Sequence, residues 1–217
     1  MTKLLTIDTT SGTSVAIHID GHLAAAVHHD SGVKHAELIG NAIIDVLEQA
    51  RLKPAELTCV AVGRGPGLFT GLRVGIAAAI WFAEGIDKPL FGVISLDAIA
   101  LQLLTEEPTH APLLVHTDAR RGEVYYAIYQ GLDRKRMPVR LSDPSVGKFD
   151  DVLESAAELH NGFVAKTGGA TAEWVGKLAD LQLSSQVASE DASALYLRAP
   201  DAAEPKPNQM FGKRVSS

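Results

Sequence analysis

The sequence predicts an α/β protein in which short buried strands alternate with helices. Three observations carry that prediction. Apolar runs bounded by turn residues recur at Leu4–Asp8, Cys59–Val62, Leu90–Ile94 and Leu113–Thr117, the pattern of buried strands. Between them lie stretches with helical periodicity, above all His35–Arg51. A glycine-rich crossing joins the Cys59–Val62 strand to an alanine-rich helix, with five glycines and a proline in the thirteen residues from Gly63 to Gly75.

In chain order, Leu4–Asp8 is a strand ending in an acid. Thr9-Thr10-Ser11-Gly12-Thr13 is a polar turn. Ser14–Ile19 and His22–His29 are two strands joined at Asp20-Gly21, a two-residue hairpin signal. In the helix that follows, Leu38, Ile39, Ala42, Ile43, Val46, Leu47 and Ala50 recur at i, i+3 and i+4, and Lys53-Pro54 ends it. After the glycine crossing, Leu72–Phe82 is free of proline and rich in alanine, a good helix former. Leu90–Ile94 is a strand, and Ser95 is placed to cap a third helix, Leu96–Leu104.

Glu106–Pro112, polar with two prolines, marks a boundary between residues 1–105 and a smaller unit, 113–199. That second part repeats the opening in outline. Leu113–Thr117 is a strand ending at Asp118, Ala119-Arg120-Arg121-Gly122 is a turn, and Glu123–Gln130 and Lys135–Leu141 are strands. A helix at Asp150–His160, a strand at Gly162–Thr167, a turn at Gly168-Gly169 and a helix at Ala172–Leu181 complete it. Residues 200–217, with three prolines and few apolar residues, are expected to be a poorly ordered tail. Duplicated units of this outline, with a ligand cleft between them, occur in actin-like ATPases.

Composition narrows the function. A net charge of −6 excludes broad nucleic-acid or membrane-surface binding and leaves only local basic patches. The single Cys59 permits no intramolecular disulfide and fits a reducing compartment. The N-terminus lacks a secretory pattern and no apolar stretch of membrane-spanning length exists, so a cytoplasmic protein is expected.

The glycine crossing has three readings. It fails the Walker A spacing, since Gly71 is followed by Leu72 and no lysine lies between Lys53 and Lys88. It fails G-x-G-x-x-G as well, because Leu68 and Thr70 stand where the third glycine belongs. A tight turn with close packing is the plainer alternative. The third concerns Gly67, Gly71, Gly75 and Ala79, which recur every four residues and form one smooth face that a second helix can approach. No H-E-x-x-H is present, and Ser11, Ser14 and Ser95 lack a nucleophile context.

Taken together, Asp8–Ala16, His35–Leu38, Val62–Gly75, Gly92–Ala98, Asp118–Tyr125 and Tyr196–Arg198 resemble the TsaB (YeaZ) family. The resemblance implies a two-lobed actin-like ATPase (ASKHA, ribonuclease H-like) fold with a small, degenerate second lobe. It implies a non-catalytic partner of the transferase TsaD in making threonylcarbamoyladenosine beside the anticodon of tRNAs. TsaD carries a metal-holding histidine pair after the strand matching Leu90–Ile94, where this chain has Ser95 and Ile99. No metal, cofactor or catalytic residue is therefore expected, and Asp8, Thr9, Thr10 and Ser11 are read as a phosphate-loop remnant. Arg120 and Arg121 are too bulky for backbone to wrap a phosphate in the second lobe. The resemblance further implies a partner interface of His35, Glu37, Leu38, Arg64, Phe69, Gly71, Leu72, Arg73, Gly75, Ile76 and Ala79. It would serve a TsaD heterodimer, a competing homodimer and a ternary complex with a TsaE-type ATPase, with tRNA contacted indirectly. The alternatives are an ATP-binding phosphotransferase of the same fold and a glycoprotease-type metallopeptidase.

Overall fold

The protein is described from a computed structural model, in which residues 1–30, 34–187 and 191–198 are placed. The stretch 200–217, expected to be a tail, lies outside the described residues.

Strands β1 (Lys3–Asp8), β2 (Thr13–Ile19), β3 (His22–His29), β4 (Cys59–Gly63) and β5 (Leu90–Val93) form one sheet in the order β3-β2-β1-β4-β5. The first three are antiparallel neighbours, and β1, β4 and β5 run parallel. The Asp20-Gly21 turn has φ of 49° and 77°, the left-handed pair that matches the twist of a tight hairpin. Helices α1 (His35–Gln49) and α2 (Phe69–Gly85) cover one face of this sheet. The other face receives α3 (Ser95–Glu106) and α5 (Ala172–Ser184). Period-two alternation decides which side chain goes where. Leu5 and Ile7 meet Ile43 and Leu72 on the α1/α2 side, while Leu4 points into the α3/α5 side.

A second sheet holds β6 (Leu113–Asp118), β7 (Glu123–Leu132), β8 (Pro138–Arg140), β9 (Ser145–Lys148) and β10 (Val164–Thr167). It echoes the first: β6 is antiparallel to β7 and parallel to β10, as β1 is to β2 and β4. Its inner face contributes Leu113, Val115, Ala127 and Tyr129 to the core that also contains α3 and α5. Helix α4 (Phe149–Leu159) packs on its outer face through Val152 and Ala156. Five layers result, helix–sheet–helix–sheet–helix, which is the two-lobed actin-like arrangement that the duplicated outline predicts. Though late in the chain, α5 lies against β1 and β2 of the first sheet.

Some element limits differ from the sequence reading. Helix α2 runs Phe69–Gly85 rather than Leu72–Phe82, because its glycines are stabilised by tertiary packing that propensity does not register. Ser95 is not the cap of α3. The N-cap is Ile94, and the Ser95 hydroxyl is used elsewhere. Strand β9 is not signalled in the sequence; Ser145–Lys148 pairs with the first half of β7 and leaves β8 only three residues.

Candidate functional site

At the end of β1 the chain turns through Asp8, Thr9, Thr10 and Ser11. The Asp8 carboxylate is fully buried and spent on the protein itself. One oxygen accepts the Thr10 N–H at 2.8 Å and the Thr10 hydroxyl at 2.6 Å, and the other accepts the Ser95 hydroxyl at 2.9 Å. Burial raises the Asp8 pKa, opposed by the hydrogen bonds from Thr10 and Ser95. A side chain at Gly63 would meet this carboxylate at 1.8 Å, so glycine at the end of β4 is required by the approach. Thr9 is also buried and donates its hydroxyl to the Gly71 carbonyl at 2.8 Å. Of the four remnant residues, Ser11 makes no side-chain hydrogen bond among the described residues, and it borders the cleft between the sheets.

The four-residue glycine ladder of α2 meets this same turn. A Cβ added at Gly67 would lie 2.9 Å from Thr10, one at Gly71 2.9 Å from the Thr9 carbonyl, and one at Gly75 2.1 Å from the Thr9 hydroxyl. The smooth face that predicts close approach by a second subunit is thus occupied by the chain's own Asp8–Thr10 turn. Leu72, Gly75, Ile76 and Ala79 are buried with it, in the core between α2 and the sheet. His35 ties the start of α1 to β2 by a 2.9 Å hydrogen bond between Nδ1 and the Thr13 hydroxyl. Leu38 is half-buried and Glu37 exposed. Arg64 lies 3.9 Å from Asp191. Phe69 is half-buried under the Arg73 guanidinium, whose carbon stands 3.8 Å from the ring centroid.

Between the two sheets opens a cleft of about 880 Å³. Thr9–Gly12, Gly67–Gly71, Thr117–Arg120, Thr167–Gly169 and Tyr196–Arg198 form its walls. The turn after β6 differs from the turn after β1. Arg120, Arg121 and Gly122 all adopt positive φ, at 64°, 58° and 73°, an unusual conformation for arginines. Asp118 holds the turn, accepting the Arg120 N–H and pairing with its guanidinium at 3.2 Å. Ile99 is buried, and it lies where a Cβ on Gly168 would come within 2.5 Å. Among the described residues no group of three or more His, Cys, Asp or Glu side chains could hold a metal. His18 and His22, four residues apart, straddle a hairpin turn rather than sharing a helix face.

Apolar side chains remain on the outside of the helix pair. Ile44 on α1 and Ile80 and Trp81 on α2 are exposed, Trp81 to 77%. Two further arrangements have no local sequence signal. Tyr129, buried on β7, donates a 2.7 Å hydrogen bond to Asp97 on α3, which also lies 3.5 Å from Arg140. Phe69 and Tyr196 stack with centroids 5.1 Å apart, and Arg73 donates to the Tyr196 hydroxyl at 2.9 Å.

Comparison with known proteins agrees with this architecture. YeaZ from Pseudomonas aeruginosa superposes with a TM-score of 0.75 over 91% of this chain and 100% of that one, at 23% identity, a likeness of fold. An uncharacterized protein of Mycobacterium leprae, ML0378, is 40% identical over 158 residues, 70% of this chain and 40% of that protein. The Escherichia coli protein named "tRNA threonylcarbamoyladenosine biosynthesis protein TsaB" is 37% identical over 130 residues, 59% of this chain and 55% of that protein. The chain thus spans about half the length of the curated relatives it matches. The family model described as "TsaD: tRNA N6-adenosine threonylcarbamoyltransferase" matches residues 27–190, well over half of the chain. With that match and its TsaB-named relatives, the chain belongs to the TsaD tRNA N6-adenosine threonylcarbamoyltransferase family.

Proposed function

We propose that this chain is a non-catalytic subunit of threonylcarbamoyladenosine biosynthesis that docks on a TsaD-type transferase and supports threonylcarbamoyl transfer to the adenosine beside the anticodon of tRNAs. The pathway comes from the TsaB-named relatives and the family model. The observation that carries the non-catalytic part is the state of the Asp8 turn. The groups that would face phosphate and metal in an active lobe are buried and hydrogen-bonded to Thr10, Ser95 and Gly71. An acid with both oxygens satisfied by protein donors has little left for a cation. The docking part is supported by the exposed Ile44, Ile80 and Trp81 on the outer faces of α1 and α2. In this proposal the same faces form a homodimer that competes with the transferase, a TsaE-type ATPase joins the pair, and tRNA is contacted through the transferase. The division at residues 105–113, with α5 reaching across it, and a cytoplasmic location belong to the proposal too. Among the described residues no helix is long and apolar enough to cross a membrane.

Docking favours a transfer-competent transferase only insofar as that state binds this chain more tightly than others do. The test is reconstitution of the modification with TsaD and the remaining pathway proteins, with and without this chain. Equal rates in both reactions refute the proposal. Trp81→Glu, a change at a largely exposed position, should weaken binding of the transferase by about thirtyfold, corresponding to a hot-spot loss of about 2 kcal/mol.

A further inference from the structure

The last described segment, residues 191–198, touches both lobes. Near its start it lies on the first sheet: the Asp191 carbonyl sits 2.0 Å from where a Cβ on Gly92 of β5 would stand. The Leu195 N–H then donates to the Arg64 carbonyl at 2.8 Å. Tyr196 stacks on Phe69 and accepts from Arg73, both in the first turns of α2. At the far end Arg198 donates to the Ala119 carbonyl at 3.0 Å and pairs with Glu123. Ala119 and Glu123 close the turn of the second lobe that carries the left-handed arginines, through the Ala119 N–H to the Glu123 carbonyl at 2.9 Å.

We propose that residues 191–198 are a clasp that fastens the two lobes across the cleft and holds the first turns of α2 in place for docking, with Tyr196 and Arg198 as positioning residues. This rests on the docking reading given above. Three observations carry it. The seat of the strap is built into the first sheet, because any residue but glycine at position 92 would collide with the Asp191 carbonyl. The N-cap of α2, Leu68, supplies no side-chain hydrogen bond, and the first turn of that helix is held on its inner side by Thr9 on Gly71 and on its cleft side by Phe69 and Arg73 on Tyr196. Finally, the Arg198 guanidinium meets two acceptors of the second lobe at once, a fork geometry that lysine cannot reproduce. Movement of either lobe is thereby passed to the helix that carries Trp81.

Two variants at opposite ends of the strap test the clasp: Arg198→Ala in the second-lobe anchor and Gly92→Ala in the first-lobe seat. Hydrogen exchange of the full chain is read by mass spectrometry, and affinity for TsaD is measured alongside. Both variants are expected to speed exchange at residues 68–73 and 119–123 by about tenfold, the scale of one lost charge-assisted hydrogen bond. Exchange in β1 stays unchanged, which separates release of the strap from general unfolding. TsaD binding weakens by a similar factor, and Arg198→Lys recovers part of it. Acceleration confined to residues 191–198 in both variants overturns the proposal. So does undiminished TsaD binding when residues 68–73 are loosened. If the exchange pattern appears but the unaltered chain does not bind TsaD, the clasp stands and the docking reading falls.

Discussion

Replacing Gly75 by alanine tests what the glycine ladder is for. The new methyl would sit 2.1 Å from the Thr9 hydroxyl, with Thr9 Cγ2 at 3.0 Å and Cβ at 3.1 Å. Turning the threonine side chain moves its hydroxyl aside only by breaking its bond to the Gly71 carbonyl, and Cγ2 and Cβ still leave a tight fit. Overpacking of this kind costs about 1–3 kcal/mol, and loss of the buried Thr9–Gly71 hydrogen bond adds about 1 kcal/mol. Against this, alanine gains about 1 kcal/mol over glycine inside a helix. The net expectation is destabilisation by roughly 2 kcal/mol, or about 4–8 °C in Tm for a chain of this size. With Thr9→Ala the colliding hydroxyl and methyl are gone, so adding Gly75→Ala should then be neutral or stabilising. The coupling in this double-mutant cycle is about 2 kcal/mol. Chemical denaturation of the four proteins at two concentrations a hundredfold apart measures it. If Gly75→Ala leaves unfolding unchanged at low concentration and alters only self-association, the ladder serves contact between subunits and the packing argument is wrong.

Two other perturbations follow from buried polar groups. His18 is buried against Gly176 and Thr6, near Lys177, and its pKa falls to about 4 from the ordinary 6.5, mainly through desolvation. The unfolded chain therefore binds the proton first. The contribution of this group is complete above pH 6.5 and is lost as pH falls toward 4, by roughly 3 kcal/mol in all. Urea titrations across that window should show the slope in the parent chain but not in His18→Leu; parallel curves would refute it. Tyr129→Phe removes the 2.7 Å hydrogen bond to Asp97 while the ring still fills its place. It should cost about 1–2 kcal/mol in chemical denaturation, and no measurable loss would show that Asp97 is satisfied without the tyrosine hydroxyl.

Much of this molecule is legible from local pattern. The alternation of strands and helices, the Asp20-Gly21 hairpin and the start of α1 at His35 all reflect free energies decided within a few residues. The duplicated outline survives too, since each half repeats the same short-range signals. Ser95 and Ile99 both face the chain's own interior. The partner of the glycine ladder is not visible in this way. A spacing of four says that one helix face is smooth but not what will lie on it. Thr9, which fills that face, is 62 residues from the carbonyl it binds.

The strap is further still from local reading, with 123 residues between Arg73 and Tyr196. By itself, then, the sequence determined the kinds of element and their order, because side-chain type and near-neighbour spacing suffice for those. Only the tertiary structure decided that Asp8 and Thr9 are consumed by the fold, that α2 turns Gly71 and Gly75 inward and Trp81 outward, and that residues 191–198 touch both lobes. Those outcomes depend on how distant segments compete for the same buried space, and no local pattern encodes that competition.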